Sequence, residues 1–188
     1  MNKYLLASVI ALCVSSGIAQ AADGTITFNG LVTSSACTAI ASVTADATGT
    51  PGTAVLTLDN VTGSTLNAAA GTYAGIKPFS IQLTGCEATA ALRNVRTLFT
   101  TTSAVGGAIE NTALVTPAAN VAIAILQQNG TTQIDVNGGA ASDPGVALPP
   151  TGSPRSLTLN YNAAYKSLST GVTSGNVTGV ADFVISYF

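Results

Sequence analysis

The sequence predicts an all-β domain built as an antiparallel sandwich, and three observations carry that prediction. Runs of alternating or apolar β-formers recur along the chain, turn residues separate them, and the two alanine-rich stretches with helical character, 67–70 and 88–92, are too short to change the class. In chain order the strand-like runs are 25–33, 54–59, 79–83, 95–100, 121–127, 133–136, 156–165 and 176–187. The first, second, seventh and eighth owe their assignment to period-2 alternation or clustered Val, Ile, Thr and Tyr, and 121–127 to an almost continuous apolar run. Between them stand Gly49-Thr50-Pro51-Gly52, Asn129-Gly130, Asn137-Gly138-Gly139 and Pro149-Pro150-Thr151-Gly152. Asn129-Gly130 between two such runs is a hairpin signature. The glycine- and proline-rich stretch 138–154 reads as a long surface loop inside one domain, and no fixed-period repeat is present.

The first residues read as an export signal. Lys3 supplies the positive charge, residues 5–14 form a short apolar core, and Ala19-Gln20-Ala21 suits a small-residue cleavage site. The apolar run is too short for a membrane-spanning helix. Cleavage after Ala21 leaves 188 − 21 = 167 residues, enough for one domain with a real core. The expected division is signal 1–21, an N-terminal extension 22–36 and the folded domain 37–188. Cys13 departs with the signal, so Cys37 and Cys86 remain as an even pair in an exported chain, which reads as one structural disulfide.

Charge is scarce: 7% of residues are Asp, Glu, Lys or Arg, against about 25% in ordinary soluble domains. Loss of Lys3 takes the balance from 6 − 8 = −2 to 5 − 8 = −3. Without a basic patch, nucleic acid is excluded as a partner class. Histidine is absent, which removes the commonest general base and any Ser-His-Asp triad. Two cysteines without histidine do not make the usual zinc site, and no phosphate-binding or dinucleotide fingerprint appears. No metal, cofactor or enzymatic activity is expected. Tyr161 and Tyr165, four apart, are a candidate sugar-stacking pair or ordinary core residues.

Two terminal strands remain. Near the C-terminus Gly175, Val177, Gly179, Ala181, Phe183, Ile185 and Tyr187 alternate with mostly polar residues, and the chain closes on Phe188. Period-2 alternation gives the first set one buried face. After the cleavage site Gly24, Ile26, Phe28, Gly30 and Val32 share a face, with Thr25, Thr27 and Asn29 on the other. Gly30 inside such a strand is costly unless another backbone approaches closely there.

The block 22–33 before Cys37, the segment Phe79 to Cys86, the run 120–130 closing on Asn-Gly, and Gly175 fourteenth from the end with penultimate Tyr187 together resemble the pilins of the chaperone–usher pathway, in particular type 1 fimbrial subunits. The resemblance covers the whole mature chain. It implies an incomplete immunoglobulin-like antiparallel sandwich lacking its last strand, with an N-terminal donor strand. The groove left open would have 175–187 as one wall, and Phe188 belongs with that acceptor and chaperone surface. Filling it would fall first to a periplasmic chaperone and then, at the outer-membrane usher, to the donor strand of the next subunit, a form of β-augmentation. The expected function is a structural subunit of a surface fimbria, exported through the periplasm to the cell surface and supporting adhesion. A major and a minor subunit both fit. The alternatives are a tip adhesin and a secreted monomeric carbohydrate-binding sandwich.

Overall fold

The computed structural model describes residues 24–32, 36–44 and 52–188. The predicted signal 1–21 and its cleavage site lie outside the described residues. The elements are β1 (Gly24–Val32), β2 (Ala39–Thr44), β3 (Thr53–Leu58), the one-turn helix α1 (Gly63–Leu66), β4 (Tyr73–Cys86), β5 (Asn94–Thr100), β6 (Ala104–Val105), β7 (Ala108–Glu110), β8 (Val121–Gln127), β9 (Gln133–Ile134), a 3-10 turn (Gly139–Ala141), β10 (Val146–Ala147), β11 (Arg155–Ser167) and β12 (Thr178–Tyr187).

The strands form two sheets. One runs β10-β5-β12-β1-β3, and the other runs β2-β4-β11-β8-β7-β6 with β9 pairing on β8. The all-β expectation therefore holds, and each predicted run contains a strand. The Asn129-Gly130 hairpin is present: Ile125 pairs with Ile134 and Leu126 with Gln133 across it. Helix formation falls at Gly63–Leu66, just before the expected 67–70, where the Thr62 hydroxyl accepts from the Thr65 amide at 3.4 Å. Residues 88–92 are not helical.

β4 is far longer than 79–83. Gly75 and Pro78 look like strand breakers in the sequence, but they are accommodated where β4 has room. The ladder to β11 shifts register near Gly75, and Pro78 lies beyond the reach of β2, which pairs only over Ser80–Thr84.

Alternation buries one face of each sheet against the other. Phe79, Phe99 and Tyr161 meet at the centre, with ring centroids 5.1 to 6.2 Å apart. Every residue of Val121–Leu126 is buried. Val121, Ile123 and Ile125 face this core, while Ala122, Ala124 and Leu126 pack with Ala108 and Ala164 in a second, outer cluster. A strand covered on both sides reads as a continuous apolar run, which is what the sequence shows there.

The sandwich has two distinct ends. At the disulfide end Cys37 is bonded to Cys86. Hydrogen bonds from Ala88 to Pro149, Leu148 to Arg93, and Arg93 and Asn94 to the Phe188 carbonyl bring the C-terminus to that same end. At the opposite, loop end the connection between β7 and β8 is lashed to the start of β12: Asn176 donates to the Thr116 carbonyl at 2.8 Å, and Ala118 donates to the Asn176 carbonyl at 2.9 Å.

Candidate functional site

β12 and β3 stand two strand positions apart in their sheet, and β1 occupies the slot between them. β12 provides the first wall. Val177, Gly179, Ala181, Phe183 and Ile185 are buried, as the alternation predicts, whereas Tyr187 is half-buried. β3 provides the second, with Ala54, Leu56 and Leu58 all buried. Burial also holds the Tyr187 phenol above its ordinary pKa.

Two walls, one strand wide, need a third strand for their backbone groups. β1 supplies it. It runs parallel to β12 from Thr25 opposite Thr178 to Val32 opposite Ile185, and antiparallel to β3 from Gly24 opposite Leu58 to Asn29 opposite Thr53. The register aligns the two alternating sets found in the sequence. Ile26 stands level with Gly179, Phe28 with Ala181, Gly30 with Phe183 and Val32 with Ile185. In three of these four pairs a large residue stands opposite a small one, and Gly30 falls beside Phe183, the bulkiest buried residue of the wall. The sequence set and its groove are brought together, but within one chain: the segment expected to serve a neighbour fills the slot of its own sandwich.

Gly175 and Phe188 sit differently from the rest of the wall, and Gly179 within it is closely packed. Gly175 precedes β12 and is wedged under the loop-end connection, where a Cβ would lie 2.5 Å from the Ala118 nitrogen and the Thr116 oxygen. Gly179 lies within β12, and a Cβ there would come 2.8 Å from Ile109 Cγ2. Phe188 does not line the slot. Its ring carries the Arg96 guanidinium 3.8 Å from the centroid, a cation–π contact at the disulfide end.

Beyond the first paired residues of β1, at the loop end, lies a small open pocket of about 70 Å³ lined by Val61, Leu66, Val121, Tyr165, Val172 and Val177 among others. It adjoins the β12 wall at Gly175 and Val177. Sequence reasoning missed it, because Val61, Leu66 and Val172 lie in connections without periodicity.

The tyrosine pair is not a sugar platform. Tyr161 and Tyr165 are both buried. Tyr161 donates to Asp143 at 2.6 Å, and burial together with the Asp143 charge pushes its phenol well above the ordinary range. Asp143, buried in a loop the sequence marks only as surface, also accepts from Gly145 at 2.8 Å.

A sequence model of the Fimbrial protein family matches residues 26–188. The chain belongs to that family. Among curated relatives, this fimbrial subunit is 36% identical to the major fimbrial subunit SMF-1 of Stenotrophomonas maltophilia over 90% of this chain and 95% of that one. It is 33% identical to the F17 fimbrial protein of Escherichia coli over 100% and 99%. A solved structure, a Burkholderia pseudomallei antigen and type I fimbria protein, shares 26% identity over 88% of this chain and 94% of its own, with a TM-score of 0.44. The chain is a structural subunit of a surface fimbria, and it polymerises with other subunits.

Proposed function

We propose that the fimbria grows by exchange of β1: the strand of one subunit leaves its own slot and fills the slot of the next. The observation that carries this reading is an interior sheet position filled by a terminal segment. Once the signal 1–21 is removed, the strand has a single covalent connection and is replaceable without threading, and swapping it between copies costs little in new contacts.

Direction follows from the two ends of the sandwich. Four residues separate Val32 from Cys37, so the body of a donor lies within about 18 Å of the point where its strand leaves the slot. Its own Cys37 sits at the disulfide end, which compels the parallel direction seen within one chain. A neighbour inserted in that direction would bring its disulfide end against the acceptor's disulfide end. Every further copy would crowd the same place, and the outcome would be a closed reciprocal pair. Reversed insertion sends the donor's body to the loop end, and a head-to-tail contact of that kind repeats without closing. It also moves the antiparallel ladder to the longer wall, with eight residue pairs along β12 against six along β3, and antiparallel pairing is the slightly more stable kind. The apolar pocket at the loop end is then available to the end of the donor strand that carries Val32.

A subunit whose strand leaves its slot exposes that slot during exchange and needs protection then, since open edges and apolar grooves aggregate. A periplasmic chaperone covering the β12 wall and an outer-membrane usher delivering subunits meet that need, after export directed by residues 1–21. No catalytic role is assigned: the buried Tyr161–Asp143 pair is spent on the core.

The experiment is a chain lacking residues 22–33, co-expressed with the intact subunit. It accepts a strand but donates none, so it should appear as a single copy at one fibre end and shorten fibres in proportion to its dose. Incorporation along the shaft would refute strand exchange.

A further inference from the structure

We propose that the loop-end connection carrying Leu114 and Val115 is the seat on which the body of the next copy of this chain rests, a second contact of the joint besides the exchanged strand. The proposal rests on reversed strand exchange and adds to it. Leu114 is 96% exposed and Val115 70% exposed, the two most exposed large apolar side chains of the described residues. One exposed leucine is unremarkable. Here two adjacent ones stand on a segment held rigid from both sides. Asn111 donates to the Ala118 and Asn176 carbonyls at 2.9 Å each, and its own oxygen accepts from Thr178 at 3.0 Å. The Asn176 amide donates to the Val115 carbonyl at 2.6 Å. Thr116 is held at φ 40, a conformation that a β-branched residue adopts only when its surroundings impose it. The connection is thus fixed to the first residues of β12, at the mouth from which a reversed donor strand leaves.

The short link between Val32 and Cys37 fixes the occupant. The donor's disulfide end lands beside this mouth, and its surface carries small apolar residues beside the exposed Arg93 and Arg155. Ala90 and Ala91 are exposed in the turn that follows Cys86, and the exposed Pro150 belongs to the segment bonded to it through Ala88 and Pro149. Leucine and valine against alanine and proline make an apolar contact.

The test uses the full-length chain assembled into fibres. A chain carrying Leu114→Cys and Ala91→Cys should yield a covalent ladder of subunits on oxidation, while either single variant yields none. Absence of a ladder from intact double-variant fibres overturns the seat. Independently, Leu114→Asn with Val115→Asn, both solvent-facing, should leave the guanidinium midpoint of the free subunit unchanged and fibre dissociation by guanidinium within about twofold of wild type. These fibres should lose stiffness in electron micrographs. Fibres as stiff as wild type overturn the proposal. If the chain lacking 22–33 enters the shaft, strand exchange itself fails and the seat falls with it, whereas a capped fibre without the ladder refutes the seat alone.

Discussion

Phe183 is 1% exposed and stands level with Gly30 across the parallel ladder. Truncating it to alanine removes the largest side chain of the β12 wall, and buried Phe→Ala changes cost about 3–5 kcal/mol. Placing phenylalanine opposite an intact Phe183, as in Gly30→Phe, overfills the slot at about 1–3 kcal/mol. Combined, the two changes return the lost volume from the other strand. The double variant of the free subunit should therefore be more stable than the sum of the single losses by about 0.5–3 kcal/mol, the coupling expected of residues in contact. Urea unfolding reads this directly, because a loss of about 3–5 kcal/mol divided by an m-value of about 1–3 kcal/mol per molar moves the midpoint by about 1–5 M. Strictly additive losses would refute the register in which β1 lies. Assembled fibres give the complementary reading: with the donor reversed, position 30 no longer stands beside Phe183, and the swap should fail to rescue polymer.

Other consequences are open to measurement. Phe28→Asp and Gly30→Leu should each reach the periplasm yet stay out of fibres, and normal fibre yield from both would count against the donor assignment. Removing 175–188 should abolish co-purification with the periplasmic chaperone; unchanged recovery would reject β12 as its seat. Tyr161→Phe leaves the buried Asp143 carboxylate short of a donor and should cost about 1–3 kcal/mol by denaturant titration. Because the Tyr161 pKa is raised in the folded chain, its contribution is complete below the unfolded value near about pH 10 and declines as pH rises above it, so the Phe variant should show a flatter alkaline loss of stability. Paired Cys37→Ser and Cys86→Ser open a loop of 49 positions, and their chain-entropy cost of about 4 kcal/mol should appear in thermal melts.

Much of the fold was legible because alternation is imposed by one-sided burial. The β12 wall and the extent of β1 emerge from that pattern alone, and β8 emerges from the continuous apolar run that burial on both faces requires. β2 was missed: a register shift between Ile40 and Ser42 puts Ile40 and Val43 out of period-2 alternation, and the pairing comes from β4 beside it and from the disulfide. β4 was cut short because Gly75 and Pro78 carry turn chemistry that a tertiary bulge overrides. Of the site, the two complementary strands were visible, but not their relation. Whether 24–32 pairs with its own chain or another depends on where Cys37 is held, and that is a property of three-dimensional ends. The pocket behind Gly175 was invisible for a similar reason, since its lining comes from connections whose apolar residues follow no period.

A strand tethered to the slot it fills competes at an effective concentration of order millimolar. Free subunits in dilute solution therefore keep themselves sealed, and a neighbour's strand prevails only when something holds the tethered one aside or delivers its rival at close range. Under the proposed strand exchange, growth of the fibre is gated by delivery rather than by affinity, and the subunit can be stored without polymerising until that delivery arrives.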